Sequence, residues 1–277
     1  MNDKCTVLIN SCDAYSDVWD LFFTALKGAW EDFDYPIVLN TQSNEYNFEG
    51  VRVINHKKRK DDRWGERYRD TLRKIDSPYV LPILDDFVLR ENTRPNKLIN
   101  DVIEWMEDNK EIDVFYLNNH PHVNKIPTEY PKFGLLPRKC DYKLTTDIAV
   151  WRKESLYNYI KDFETPWEWE MYATKKAWKS NKKFYALLDK KDAPFSITYG
   201  GVIRRGLWHP EVVQIAEKYD VKIDFSERGF MDESNPFKSN DFYSIKEHFP
   251  KDVFKIKFWT TLVIRLRQVI REIRCSI

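Results

Sequence analysis

Tyr79-Val80-Leu81-Pro82-Ile83-Leu84-Asp85-Asp86-Phe87-Val88-Leu89 is a short apolar run broken by two adjacent carboxylates. A run of that length bounded by charge reads as a buried strand of an α/β sheet. Burying unpaired carboxylates costs several kcal/mol, so the pair is not there for stability. In open α/β sheets, ligands sit at the carboxyl ends of the strands. Asp85 and Asp86 are therefore expected to hold a divalent cation, and through it a diphosphate.

The flanking sequence alternates strands and helices. Cys5 to Asn10 reads as the first strand, followed by a loop holding Asp13 and Tyr15 and by a helix over 18–29, with Asp17 as N-cap. Asp13 and Tyr15 would lie at a strand's carboxyl end, where they could meet a base or ribose; ordinary turn chemistry is the other reading. Two further short strands, 36–39 and 51–54, complete an opening of Rossmann type. Lys57 to Lys60 is a basic run, either a solvated loop or a counter-charge for phosphate. In the helix over 64–75, Trp64, Arg67, Tyr68, Leu72 and Ile75 share one face by their spacing. Arg67 there either meets an anion (Asp85, Asp86 or a phosphate) or snorkels at the rim.

Beyond the acidic pair, the sequence predicts a helix over 95–108 and a strand over 113–117. A long proline-bearing loop over 118–138, with His120 and His122, comes next, then a strand over 143–151. Thr165-Pro166-Trp167-Glu168 reads as a capping box, which accounts for Glu168. Glu170 falls on the other side of that helix at ~100° per residue, so one of the two glutamates can face a cleft. Either could act as general base, and helix-dipole complementarity is the competing reading for both. A late strand over 184–188 and a short one over 196–199 lead into Gly200 to His209. That segment carries three glycines with Arg204, Arg205 and His209, as an anion-binding lid or a plain surface turn. A helix over 210–219 follows.

Composition narrows the function classes. A chain of 277 residues with 42% hydrophobic residues can bury a sizeable core. A net charge of +1 supplies no field for nucleic acid. Eight glycines, with no GxGxxG and no Walker A, exclude a glycine cradle for phosphate, and a cation is its natural replacement. The four cysteines lack paired spacing, the N-terminus lacks a leader pattern, and no apolar run reaches the ~20 residues of a membrane span. A cytoplasmic protein is expected. Residues 254–273 form a basic amphipathic stripe, expected either to lie on an anionic membrane surface or to pack on the domain or a second subunit.

The order of Trp64-Gly65-Glu66-Arg67-Tyr68, Leu84-Asp85-Asp86-Phe87, Ile148-Ala149-Val150-Trp151-Arg152-Lys153 and Pro166-Trp167-Glu168-Trp169-Glu170 resembles bacterial GT-A-type glycosyltransferases of polysaccharide and lipopolysaccharide assembly. The likeness spans roughly residues 5–219. It implies an α/β fold, a GT-A-like Rossmann-type three-layer sandwich with a mixed central sheet, as a catalytic domain over 1–220, with a C-terminal helical extension over 221–277. It implies sugar transfer from a UDP-linked donor to a glycan or lipid-linked acceptor, with inversion, at the inner face of the plasma membrane. Asp86 and Asp85, with His209, would bind Mn²⁺ or Mg²⁺. Asp13, Tyr15, Trp64, Arg67, Asp85, Arg204 and Arg205 would bind the donor. Glu170, with Glu168 as second choice, would be the base. A metal-dependent phosphohydrolase using the same aspartates is the alternative.

Overall fold

The computed structural model describes residues 3–57 and 63–232. Ten strands and six helices carry the fold among them. In chain order these are β1 (Cys5–Asn10), α1 (Trp19–Ala29), β2 (Ile37–Thr41), β3 (Val51–Asn55), α2 (Trp64–Arg73), β4 (Tyr79–Ile83), α3 (Asn96–Asp108), β5 (Ile112–Asn119), β6 (Phe133–Leu135), β7 (Ala149–Arg152), α4 (Lys153–Tyr159), α5 (Pro166–Ala177), β8 (Lys183–Leu187), β9 (Ile203–Arg204), β10 (Leu207–Trp208) and α6 (Glu211–Lys218).

Eight strands form one mixed sheet in the order β3-β2-β1-β4-β7-β5-β8-β6. Alternation along each strand explains the three layers. Val7, Ile9, Leu81, Ile83, Phe115 and Leu117 point to one face, where α1, α3 and α6 cover them. Leu8, Val80, Val114, Tyr116, Ala149 and Trp151 point to the other, under α2, α4 and α5. Both faces are buried, so the strands read as continuous apolar runs.

Two strands run against the rest. β6, inside the stretch expected as one long loop, is the end strand and pairs antiparallel with β8. β7 lies between β4 and β5 and is antiparallel to both. Its amino end therefore shares a sheet edge with the carboxyl ends of β1 and β4, and this reversal decides where the cavity forms. The expected strand over 143–151 shrinks to β7 because the polar groups of 143–146 are used elsewhere. Leu144 N–H donates to Thr174 Oγ1 (2.9 Å), Thr145 N–H to the Tyr116 hydroxyl (3.3 Å) and Thr146 N–H to Glu170 Oε1 (2.8 Å). The strand expected over 196–199 is a single bridge between Leu89 and Ile197.

The start of α2 has no side-chain cap. Gly65 N–H donates instead to Glu164 O (3.0 Å) and Glu66 N–H to Asp162 O (3.0 Å). Only glycine allows this approach, since a Cβ at 65 would stand 1.9 Å from Lys161 O. Glu164 is 2% exposed in that turn, and its Oε2 accepts from Lys161 N–H (2.8 Å). Burial raises its carboxyl to about 7 against that hydrogen bond. A raised folded-state pKa adds stability that is full below the unfolded value of 4.5 and lost as pH rises through about 7. Glu164→Gln should remove this slope. Between pH 4.5 and 7 the wild type is expected to lose on the order of 2–3 kcal/mol relative to the variant, read by urea denaturation at both pH values.

Val221, Ile223 and Phe225 pack against the core of the sheet domain. Val221 N–H donates to Ala216 O, Trp208 N–H to Gly229 O and Met231 N–H to Trp208 O. The basic segment 254–273 and residues 58–60 of the basic run lie outside the described residues. Among the described residues, no helix is long and apolar enough to cross a membrane.

Candidate functional site

A cavity of about 460 Å³ opens at the edge created by the reversed strand. Residues 10–12 enter it at the carboxyl end of β1, 84–86 after β4 and 145–147 before β7. Trp64, Arg67 and Tyr68 reach it from α2, and Trp167, Trp169 and Glu170 from α5. Gly200 and Ile203 to Arg205 border it from the hairpin of β9 and β10.

The acidic pair is 5% and 9% exposed. Asp85 Oδ2 accepts from the Ser11 hydroxyl and from the indole N–H of Trp19 (3.2 Å), which also donates to Ser11 Oγ (2.7 Å). Burial still pushes Asp85 up to about 7. Burial and then the charge of Asp85 push Asp86 well above the carboxylate range, with only its own backbone N–H among the hydrogen bonds opposing. Two such oxygen donors facing a cavity need a counter-charge. They fit Mg²⁺ or Mn²⁺, which take one or two carboxylates and complete their shell with water and phosphate. No group of three His, Cys, Asp or Glu among the described residues could hold an ion unaided.

Asp86 is roofed by the turn at Gly200-Gly201. Val202 N–H donates to Asp86 O (2.8 Å), and a Cβ at Gly201 would stand 2.3 Å from Asp86 Oδ2. The adjoining hairpin closes on Arg205 (φ 54°) and Gly206 (φ 78°), two left-handed residues in a two-residue turn that matches strand twist. This turn sets Arg204 and Arg205 at the cavity. Arg67 is 6% exposed rather than snorkelling, and donates to Ser11 O (3.2 Å). Trp64 packs on Tyr68 (5.1 Å between centroids) and on Trp169 (6.0 Å), making an aromatic wall.

Three expected site residues are placed elsewhere. Asp13 is outside the cavity lining. Its carboxylate accepts from the backbone N–H groups of Gln42 (3.2 Å), Ser43 (3.0 Å) and Asn44 (3.0 Å) and from the Ser43 hydroxyl. Burial works to raise it, but those hydrogen bonds win and its pKa is lowered. It clasps the β1 loop to the β2 loop. Glu168 completes the capping box, accepting from Thr165 N–H (3.0 Å). His209 is also outside the lining, and its Nδ1 accepts from Glu211 N–H (3.3 Å). His120 is buried, its ring bonded to Tyr142 O (2.9 Å) and to His122 N–H (3.2 Å). Tyr15, Trp64, Arg67, Asp85, Asp86, Glu170, Arg204 and Arg205 meet in the one cavity.

Two residues escape a reading of the sequence alone. Asp147 lines the cavity beside Glu170. Its signal is a carboxylate directly before the apolar run Ile148-Ala149-Val150, the same strand-edge pattern as Asp85 in reverse. Arg228 grips Asp17 through two contacts, Nε to Oδ2 (2.5 Å) and Nη2 to Oδ1 (2.7 Å). It also donates to Ala14 O and lies over the rings of Tyr15 (4.9 Å) and Trp208 (5.4 Å). Asp17 thus anchors Arg228 rather than capping α1. The fork ties the Tyr15 loop to the arginine hairpin. Arg228→Ala should cost about 2 kcal/mol in urea denaturation, below a fully buried pair because Asp17 is 25% exposed. Arg228→Lys should recover under half of it, lacking the fork.

No family model matches the sequence, and no curated protein matches it. Solved structures do. Residues 1–349 of S. aureus TarS in complex with UDP align at a TM-score of 0.46 and 13% identity, over 68% of this chain and 58% of that one. This chain spans 35% of a longer S. aureus TarS chain. A cytidylyltransferase from Leptospira borgpetersenii aligns at 0.42 and 14%, over 71% and 82%. The bifunctional IspDF of Campylobacter jejuni aligns at 0.41 and 14%, over 71% and 52%. Likeness at these scores carries no argument about activity or about any residue's role.

Proposed function

We propose that the protein transfers a sugar from a nucleotide-sugar, UDP-linked, to a hydroxyl of a glycan or lipid-linked acceptor, with inversion. The observation behind this reading is one cavity that brings together a buried acidic strand tip, three arginines, an aromatic wall and a second pair of carboxylates. Arg67, Arg204 and Arg205 suit the leaving diphosphate, where negative charge develops. Trp64, Trp167 and Tyr15 offer apolar faces to sugar and base. Asp85 and Asp86 would hold Mn²⁺ or Mg²⁺, which would neutralise the diphosphate when bound. Glu170 and Asp147 stand where an acceptor's proton could be received.

The test is a thermal-shift panel of nucleoside diphosphates with and without Mn²⁺. A cation-dependent shift with UDP is expected, and no shift with any nucleotide would sink the reading. No observation favours the phosphohydrolase alternative, which requires donor cleavage as fast without acceptor as with it.

A further inference from the structure

We propose that Asp147 takes the proton from the attacking hydroxyl, and that Glu170 is the positioning residue that presents it. The proposal rests on the sugar-transfer reading above. Three observations separate the two carboxylates.

Glu170 is already engaged. Its Oε1 accepts from Thr146 N–H (2.8 Å), the Thr146 hydroxyl (3.0 Å) and the Thr145 hydroxyl (3.3 Å). One turn later on α5, Thr174 Oγ1 accepts from Leu144 N–H (2.9 Å) and donates to Leu144 O (3.3 Å). Residues four apart share a helix face, so Glu170 and Thr174 together stitch 144–146 to α5. Burial raises Glu170, and the Thr146 and Thr145 hydrogen bonds pull it back.

Asp147 is the residue that this stitching delivers. It lines the cavity, and no other described residue donates a hydrogen bond to it. Burial raises its carboxyl, and no hydrogen bond works against that rise.

Topology supplies the third observation. β7 pairs antiparallel with β4 as Tyr79 with Arg152 and Val80 with Trp151. That direction puts Asp147, just before β7, at the same end of the sheet as the carboxyl end of β4, and Asp147 lines the same cavity as the acidic tip that would grip the donor.

In the step, the acceptor O–H bond breaks and its proton passes to an Oδ of Asp147. The hydroxyl oxygen forms the new bond to the anomeric carbon. The bond from that carbon to the diphosphate oxygen breaks, and its electron pair leaves with the nucleoside diphosphate.

The experiment uses the full chain with Mn²⁺ and UDP-glucose, UDP-galactose or UDP-N-acetylglucosamine. Methyl hexosides or water serve as acceptor, and UDP release is measured beside the UDP-dependent thermal shift. Asp147→Asn should lower turnover by about 10²–10⁴-fold with the UDP shift intact. Glu170→Gln keeps an oxygen for the Thr145–Thr146 donors and should stay within about tenfold of wild type. Glu170→Ala should fall well below Glu170→Gln, because rescue by the conservative variant marks a positioning role. A Glu170→Gln loss equal to or greater than that of Asp147→Asn would overturn the assignment, as would an active Asp147→Asn. A wild type that neither shifts with UDP nor releases it from any donor would instead overturn the functional reading.

Discussion

Asp86→Ala is expected to abolish turnover and to raise the melting temperature of the ligand-free protein. The two effects share one cause. Asp86 sits 9% exposed beside Asp85, and burial with like charge holds its carboxyl well above the ordinary range. Removing it takes away a buried, poorly satisfied group, and Val202 keeps its backbone hydrogen bond to residue 86. A gain of about 1–2 kcal/mol is expected, worth roughly 2–6 °C for a domain of this size. The same change deletes half of the proposed cation grip. Turnover should fall by about 10³-fold or more, and the Mn²⁺-dependent shift with UDP should vanish. A variant that is less stable and equally active would show the carboxylate to be structural.

Gly201→Ala is the second large effect, and it runs the other way. Residue 201 holds φ +83°, which an L side chain rarely adopts, and its Cβ would meet Asp86 Oδ2 at 2.3 Å and Cγ at 2.6 Å. The first term costs about 1–2 kcal/mol. The second cannot be relieved cheaply, because the carboxylate is short and its own backbone is tied to Val202. Alanine should therefore lift the turn, destabilise the fold by about 2–4 kcal/mol and weaken nucleotide binding. A double-mutant cycle with Asp86→Ala separates the terms. The pair should recover the clash and retain the backbone strain. Strict additivity in urea denaturation would mean that the two residues do not touch.

Much of this architecture is legible in the sequence because its signals are local. The acidic tip follows a single strand, α2 and α6 follow helical spacing, and the capping box at Thr165 needs four consecutive residues. What stayed hidden depends on partners far along the chain. Asp147 read as the middle of a strand over 143–151, since nothing nearby reveals that Thr174, Glu170 and Tyr116 draw off the polar groups of 143–146. Asp13 looked like a ligand because its clients, Gln42 to Asn44, lie two elements away. Asp17 looked like a helix cap because Arg228 is distant. For Asp13 and Asp17 the sequence shows a carboxylate at a loop or helix start that needs a partner, and the partner's identity was a matter of tertiary structure.

The backward strand between β4 and β5 also sets an order of assembly. A chain emerging from the ribosome can complete its parallel block as soon as β4 appears, and the next strand made, β5, has no neighbour in that block to grasp. Until the stretch through Arg152 arrives and slots between them, the nascent molecule holds a four-stranded parallel block with an open seam and a β5 that has no strand to pair with. Deletions or pauses between residues 120 and 148 should therefore yield aggregation-prone intermediates rather than merely inactive protein.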